Sequence, residues 1–348
     1  MSGADHPILI VRFNPEMAVE GIKNVLTLLG LTDGMNQHCR LYEGDLLTIK
    51  LSSSKKVEKI EKINLLPAVQ KAVFLPKHRR LFSRKDDGGC DIVRIDQTIG
   101  IGGAKHTIIA GPCSVESRQQ ICEIAAQVKE AGAHLLRGGA FKPRTSPYSF
   151  GGLGEKGLEY LAMAREETGL PIVTEVLDTT DLDLVARYAD VLQIGSRNMY
   201  NSKLLFKAGS HPSGKPILLK RCFGALIGEF LDVTDYILLG RIHAGNDDPG
   251  LVLCERGIRT MKDTLRFTLD IGAIPTIKEK ARFPILADPS HAAGRREFVP
   301  SLAMSALAAG ADGLLIEVHT DPDHAWSDGA QSMSINDFNN LMKEIENI

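Results

Sequence analysis

Eight short apolar segments that alternate with amphipathic segments set the strongest constraint on the fold of this 348-residue chain. The segments are HTIIAG, AHLLRGG, PIVTEVL, VLQIGS, PILLKR, LVLCER, FPILADPS and GLLIEVH. Strands that are buried on both faces have continuous apolar runs, and strands that alternate with helices form parallel sheets. Eight such units in roughly 250 residues predict an α/β fold, a (β/α)8 TIM barrel. A doubly wound sheet is the alternative, although such sheets more often stop at five or six strands.

The region before the barrel predicts a second, smaller domain. Within residues 1–76 the order is an apolar segment PILIVRF, a helix near 15–30, a hairpin CRLYEGDLLTIKL, a helix near 55–62 and an apolar segment AVQKAVFL. The order βαββαβ is that of an α+β ferredoxin-like fold. Residues 77–90 are charged and rich in turn-forming residues, which predicts a linker. The barrel domain would then span 91–348, with a short hairpin at its start.

Composition argues against nucleic acid or membrane partners. The formal net charge is −2 and aromatic residues make up 5% of the chain, so neither a basic surface nor many stacking platforms are available. The chain has no run of about eighteen apolar residues and no secretory signal pattern at its start. Its six cysteines form no C-x-x-C pair, as is usual in a reducing compartment. We therefore expect a soluble cytoplasmic protein that acts on small molecules.

Polar residues recur where each predicted strand ends, which is where barrel enzymes place their catalytic groups. These residues are Cys113, Arg137, Lys142, Glu175, Arg197, Lys220, Arg221, Arg256, His291, Glu317 and His319. The stretch LRGGAFKPRTS, residues 136–146, has three cations among glycine, proline and hydroxyl residues. Such a shaped basic loop predicts a phosphate-binding site rather than a solvated surface.

Four residues predict a divalent metal site. Cys113, His291, Glu317 and Asp328 offer a thiol, an imidazole and two carboxylates, a set that suits a borderline cation. Their spacing is unlike that of a zinc finger, so they meet only if the barrel closes. Taken singly, a residue such as Cys113 is more often a small buried hydrophobic residue, and one such as His291 is more often a hydrogen-bonded loop residue.

Two glycine patterns resemble nucleotide-binding motifs but lack their context. GLGEKG, residues 152–157, has the glycine spacing of a dinucleotide fingerprint, yet no strand precedes it directly. GSHPSGKP, residues 209–216, has a proline where a P-loop has serine or threonine, and a strand follows it instead of a helix. We interpret the second pattern as a turn.

Nine motifs in this order resemble the 3-deoxy-D-arabino-heptulosonate 7-phosphate (DAHP) synthase family: GPCSVES, RGGAFKPRTS, TEVLD, QIGSRN, LLKR, CERGIRT, DPSHAAGRR, IEVH and SDGAQS. They cover about residues 91–334 and resemble the branch of that family that shares its barrel with KDO 8-phosphate synthases. Several members of this branch carry an N-terminal ferredoxin-like regulatory domain. The resemblance implies a metal-dependent, aldol-type condensation of phosphoenolpyruvate with erythrose 4-phosphate, which gives DAHP and inorganic phosphate. This reaction is the first step of the shikimate pathway of aromatic amino acid biosynthesis.

The resemblance also implies roles for single residues. The phosphoenolpyruvate positions are Arg137, Lys142, Arg197, Lys220 and Arg256, and the aldose phosphate positions are Lys142, Pro143, Arg144 and Thr145. The ligands of one divalent ion (Mn, Fe, Co or Zn) are Cys113, His291, Glu317 and Asp328. Glu175 would manage the water that adds during the reaction, and the catalytic set would be Lys142, Glu175, Cys113 and His291.

Regulation and two alternative functions stay open. On a pathway entry enzyme, the N-terminal domain would be an ACT-like regulatory module for an aromatic amino acid, or a passive assembly domain, in a homo-oligomer of two or four subunits. The nearest alternative function is KDO 8-phosphate synthase, or another phosphoenolpyruvate-sugar condensing enzyme, although that relative carries an asparagine-containing loop in place of KPRTS. The second alternative is an inactive metabolite-sensing paralogue.

Residues 222–250 depart from the family, with Cys222 where glycine is expected.

Overall fold

The computed structural model describes residues 6–31, 38–52, 58–84, 87–261 and 264–347. These residues form two compact units. One unit runs to Ser83 and includes Arg241–Asp247, and the other contains Arg84–Gly240 and Asp248 onward.

The first unit is an antiparallel sheet with two helices. Its elements are β1 (Ile8–Phe13), α1 (Ala18–Leu29), β2 (Cys39–Tyr42), β3 (Leu46–Lys50), α2 (Glu58–Asn64) and β4 (Val69–Leu75). The strand order β2-β3-β1-β4 is that of a ferredoxin-like sheet, which confirms the predicted fold. The predicted start of the second helix, near residue 55, lies outside the described residues.

Alternation along β1 builds the core of this unit. Leu9, Val11 and Phe13 are fully buried and share a cluster with Val25 and Leu29 of α1. Because successive strand side chains point to opposite faces, these three residues cover one face of the sheet.

The second unit contains a closed parallel barrel, as predicted. Its strands are β7 (Thr107–Gly111), β8 (Leu135–Arg137), β9 (Ile172–Glu175), β10 (Val191–Ile194), β11 (Ile217–Lys220), β12 (Leu251–Glu255), β13 (Ile285–Ala287) and β14 (Gly313–Glu317). The last strand pairs with the first, so that Glu317 lies opposite Gly111. A hairpin of β5 (Val93–Arg94) and β6 (Gly100–Ile101) precedes the barrel, and its Val93 packs into the barrel core.

Helices follow the strands around this barrel. They are α3 (Arg118–Glu130), α4 (Glu155–Thr168), α5 (Leu182–Tyr188), α6 (Ser202–Ser210), α7 (Ile227–Ala244), α8 (Ala273–Lys280), α9 (Pro289–Ala293), α10 (Val299–Ala308) and α11 (Ile335–Ile345). Helix α3 begins where the Ser117 side chain accepts the Gln120 backbone N–H, and Ser334 caps α11 in the same way. Among the described residues, none of these helices combines the length and apolar character needed to cross a bilayer.

Candidate active site

A cleft of about 690 Å³, counting its open mouth, lies at the carboxyl ends of the barrel strands. Ten of the predicted site residues line it: Arg137, Lys142, Pro143, Arg144, Glu175, Arg197, Lys220, Arg256, His291 and Asp328. Cys113 and Glu317 are buried beside it, whereas Thr145 is exposed and does not line it. Strand ends that are remote in sequence thus converge because the sheet closes.

A glycine at the end of β7 allows this convergence. Gly111 has φ 149°, and a Cβ atom there would lie 2.1 Å from the carbonyl oxygen of Arg137. Any other residue would push β8 away. Gly111 therefore allows β7 and β8 to approach closely. As a result Arg137, at the end of β8, lies near Cys113, which follows Gly111 by two residues.

The buried guanidinium groups of the cleft keep unused hydrogen-bond donors. Arg137 donates from NH2 to Glu317 Oε1 at 2.9 Å, but its Nε and NH1 are buried without a partner among the described residues. Arg256 is 5% exposed, and its Nε and NH1 also have no partner within the part of the chain that the structure describes. Buried donors are normally satisfied, so these four nitrogens are suited to bind an anion.

Three of the four predicted metal ligands form a compact group. The candidate ligand atoms of Cys113, Glu317 and Asp328 all lie within 4.8 Å of one another. The Sγ of Cys113 is 3.2 Å from Asp328 Oδ2 and 3.0 Å from the Nζ of Lys142. Burial, followed by the charge of Glu317, raises the pKa of Cys113 to about 12, so the thiol keeps its proton until a cation replaces it.

His291 stands just outside that group. Its Nε2 is 3.6 Å from Glu317 Oε1, and its Nδ1 is 2.8 Å from Asp288 Oδ2, although that contact is not aligned as a hydrogen bond. Burial lowers the pKa of His291 to about 4, so the ring is neutral, as a metal ligand must be. A carboxylate beside Nδ1 is the usual outer partner of a metal-binding histidine. The donor set therefore fits a divalent ion.

The charge of Asp328 is maintained in the same group. Burial opposes ionisation, but two neighbours outweigh it and lower the pKa of Asp328 to about 2: His291, which is charged only below its own pKa of about 4, and Arg266. Asp328 is therefore an anion at neutral pH and can act as a ligand.

Comparison with known proteins agrees with this geometry. Residues 91–348 match the DAHP synthetase I family. The chain belongs to that family. It is 43% identical over 341 residues to a phospho-2-dehydro-3-deoxyheptonate aldolase of Thermotoga maritima, which covers 98% of this chain and 97% of that protein. The family predicted from the nine motifs is therefore confirmed.

The chain is also similar to another curated protein and to two solved structures. A 2-dehydro-3-deoxyphosphooctonate aldolase of Bradyrhizobium diazoefficiens is 34% identical and covers 69% of this chain and 88% of that protein. The crystal structure of the phospho-2-dehydro-3-deoxyheptonate aldolase (DAHP synthase) of Thermotoga maritima superposes with a TM-score of 0.74 at 42% identity, covering 98% of this chain and 97% of that one. A truncated form of the Thermotoga maritima 3-deoxy-D-arabino-heptulosonate 7-phosphate synthase gives a TM-score of 0.69 at 45% identity, over 77% of this chain and 95% of that one.

The carboxylate of Glu175 fits in the cleft because the residue that follows the next strand is a glycine. A Cβ atom on Gly195, directly after β10, would lie 1.8 Å from Glu175 Oε1. Glycine at this position therefore makes the space that the carboxylate occupies. Burial raises the pKa of Glu175, although Lys142 and Lys220 act in the opposite direction.

Several residues that line the cleft were not predicted from the sequence. They are Gln193, Gly195, Ser196, Phe223, Arg266 and Phe267. Arg266 donates to Asp328 Oδ1 at 3.3 Å and to Gln331 Oε1 at 2.7 Å. Gln193 and Gly195 belong to the QIGSRN motif and could have been found there, whereas Arg266 and Phe267 lie in a long loop without a motif.

Proposed function

We propose that this protein condenses phosphoenolpyruvate with erythrose 4-phosphate to give DAHP and inorganic phosphate. One observation carries the proposal: two sets of groups lie in one cleft. Arg137 and Arg256 have nitrogens without a partner among the described residues, and Lys142 contacts Cys113 of the group formed by Cys113, Glu317 and Asp328. Two phosphorylated anions repel each other, so their shared pocket needs several cations, and arginine forks suit carboxylate and phosphate.

The cations divide between the two substrates in this proposal. Phosphoenolpyruvate is bound by residues at four strand ends together with Lys142, namely Arg137, Arg197, Lys220 and Arg256. The aldose phosphate is bound by the loop of Lys142, Pro143 and Arg144, and the exposed Thr145 belongs to the same loop. Lys142 thus contacts both substrates.

Cys113, His291, Glu317 and Asp328 would hold one divalent ion, with Mn, Fe, Co and Zn as the candidates. Such an ion is a Lewis acid that polarises the aldehyde oxygen of the sugar phosphate. Glu317 and Asp328 supply negative charge, and Cys113 gives up its thiol proton when it becomes a ligand.

The chain's own residues then guide the bond changes. The C3 atom of phosphoenolpyruvate forms a bond to the aldehyde carbon, whose oxygen takes up a proton, and positive character develops at C2. Water adds at C2, and Glu175 accepts a proton from it, because the buried carboxylate lies among cations in the same cleft. The adduct then breaks the bond between C2 and the phosphate oxygen while its C2 hydroxyl becomes the carbonyl and gives its proton to the departing phosphate, which Arg137 and Arg256 stabilise.

The test is a phosphate-release assay on the purified full chain. The protein is stripped with a chelator and assayed with and without added Mn²⁺, with both substrates and with each alone. We expect phosphate release only when both substrates and the ion are present. Activity with arabinose 5-phosphate in place of erythrose 4-phosphate would instead indicate the KDO 8-phosphate reaction, and no release with either sugar would indicate a sensor.

The finer expectations about regulation, assembly and location belong to the same proposal. We propose that the N-terminal domain, residues 1–76 with the linker 77–90, responds to an aromatic amino acid, and that the chain forms a homo-oligomer in the cytoplasm. The support is the ferredoxin-like sheet on a member of the DAHP synthetase I family, whose reaction, by the resemblance of the nine motifs, is the first step of a pathway. Sedimentation of the purified chain would give the number of subunits.

A further inference from the structure

Glu116 joins the two loops that carry Cys113 and Asp328. The β7 loop is residues 112–117, and the β14 loop is residues 318–334. Glu116 Oε1 accepts the backbone N–H of Trp326 at 2.8 Å, and its Oε2 is 3.5 Å from the Nε2 of His319. The side chains of Glu116 and His319 are 9% and 7% exposed, so water competes little for the contact between them.

The ring of His319 presents its proton to Glu116. His319 Nδ1 accepts the backbone N–H of Asp321 at 3.0 Å, which places the ring proton on Nε2. This Nε2 is buried and has no hydrogen-bond partner among the described residues. The carboxylate of Glu116, 3.5 Å away, is the negative charge that faces this N–H.

The same two loops meet at the metal ligands. The hydroxyls of Ser114 and Ser327 are 2.6 Å apart, and the Sγ of Cys113 is 3.2 Å from Asp328 Oδ2. Asp328 has φ 49°, a left-handed conformation that costs energy for any residue with a Cβ atom. Such a conformation persists only where surrounding contacts hold the backbone, and the bond from Glu116 to Trp326 is two residues away.

We propose that Glu116 is a positioning residue that sets the separation of Cys113 and Asp328 for the divalent ion. It does not line the cleft, and it acts through the backbone of the β14 loop and through His319. The inference rests on the metal site of the proposed function. It adds that a carboxylate outside the ligand set controls how tightly the ion is held.

The test uses the full chain with Co²⁺ as the probe, because a thiolate ligand gives Co²⁺ a charge-transfer absorption. Outer residues around a metal site commonly change its affinity by about 10–100-fold. We expect Glu116→Ala to raise the dissociation constant of Co²⁺ by about that factor and to weaken the thiolate band at equal Co²⁺. Glu116→Gln keeps an oxygen for Trp326 but loses the charge that faces His319, so its effect should be smaller.

The matched control is Glu123→Ala, which removes the same charge from an exposed position on α3 and should leave Co²⁺ binding unchanged. Thermal unfolding of the metal-free proteins checks their folding, and Glu116→Gln carries the test if Glu116→Ala does not fold. Co²⁺ binding by both Glu116 variants with the affinity and spectrum of the unmodified chain would overturn the inference. Absence of the thiolate band in the unmodified chain would contradict the metal site itself, and the inference with it.

Discussion

The buried arginines near the cleft differ in how many of their donors are already used. Arg221 donates to Glu255 and Asp270 from NH1 and to the Ala225 carbonyl from Nε and NH2, so it stabilises the loop after β11. Within the described residues, Arg137 and Arg256 each keep two nitrogens without a hydrogen-bond partner. The sequence places all three at strand ends and could not separate them, because the difference depends on which carboxylates the closed barrel brings close.

Lys142→Ala should remove turnover while leaving the metal bound. Lys142 Nζ lies 2.9 Å from the Cys113 carbonyl and 3.0 Å from the Cys113 Sγ, at the centre of the proposed site. A charge-assisted hydrogen bond contributes about 1.5–3 kcal/mol. The alanine variant would lose one such bond to each of the two substrates. We expect kcat/KM to fall by at least about 100-fold.

The control for this variant is Lys156→Ala, at an exposed position in the first turn of α4. Metal content is measured by elemental analysis alongside the kinetics. Loss of metal from the Lys142 variant would mean that the lysine supports the ion rather than the substrates.

Phe267→Leu should weaken phosphoenolpyruvate binding through Arg256. The guanidinium carbon of Arg256 lies 4.4 Å from the Phe267 ring centroid, and Phe267 stacks on Phe223 at 5.4 Å. A cation-π contact contributes about 0.5–2 kcal/mol, which corresponds to about 2–30-fold in kcat/KM for phosphoenolpyruvate. Steady-state kinetics with each substrate varied in turn would measure it.

Phe267→Tyr keeps the aromatic face and should behave like the unmodified chain. The KM for erythrose 4-phosphate should change little in either variant, since Arg256 is assigned to the other substrate. An equal rise in both KM values would contradict this assignment.

At the scale of elements, the strands were the most predictable part. Each of the eight apolar segments contains one barrel strand, because a strand buried on both faces leaves a run such as ILLK of β11 in the sequence. The strand ends then fixed the positions of Arg137 and Glu175. Loops were harder, since Arg266 and Phe267 reach the cleft through tertiary contacts that leave no periodic pattern.

Gly195→Ala should displace Glu175 without unfolding the barrel. The new Cβ atom would lie 1.8 Å from Glu175 Oε1, and a side-chain carboxylate can move more easily than the backbone of β9. A misplaced catalytic group costs about 100-fold in rate, so we expect a fall of that size in kcat with a small change in Tm. Rapid-quench or steady-state kinetics together with thermal unfolding would test it.

The matched variant is Gly228→Ala in α7, where a Cβ atom would meet nothing within 4 Å. Alanine there should stabilise the helix by about 0.5–1 kcal/mol and leave kcat unchanged. Full activity in the Gly195 variant would show that the position of Glu175 does not matter for turnover.

At the scale of the molecule, each unit has its own core. The ferredoxin-like sheet packs around Leu9, Val11 and Phe13, and the barrel interior packs around residues such as Ile109 and Leu218. Separate cores predict that each unit can fold by itself.

Removal of residues 1–83 should therefore leave catalysis and remove regulation. Arg84 belongs to the barrel unit, where its backbone N–H donates to the Lys280 carbonyl at 3.0 Å, so the cut is placed before it. We expect the full chain to be inhibited by phenylalanine, tyrosine or tryptophan and the shortened chain to keep its metal and turnover but not the inhibition. Inhibition requires a coupling between an effector site and the cleft. The deletion removes the unit in which we expect the effector site. Equal inhibition of both chains in a phosphate-release assay would place the effector site on the barrel. No inhibition of the full chain would mean that the ferredoxin-like unit serves assembly alone.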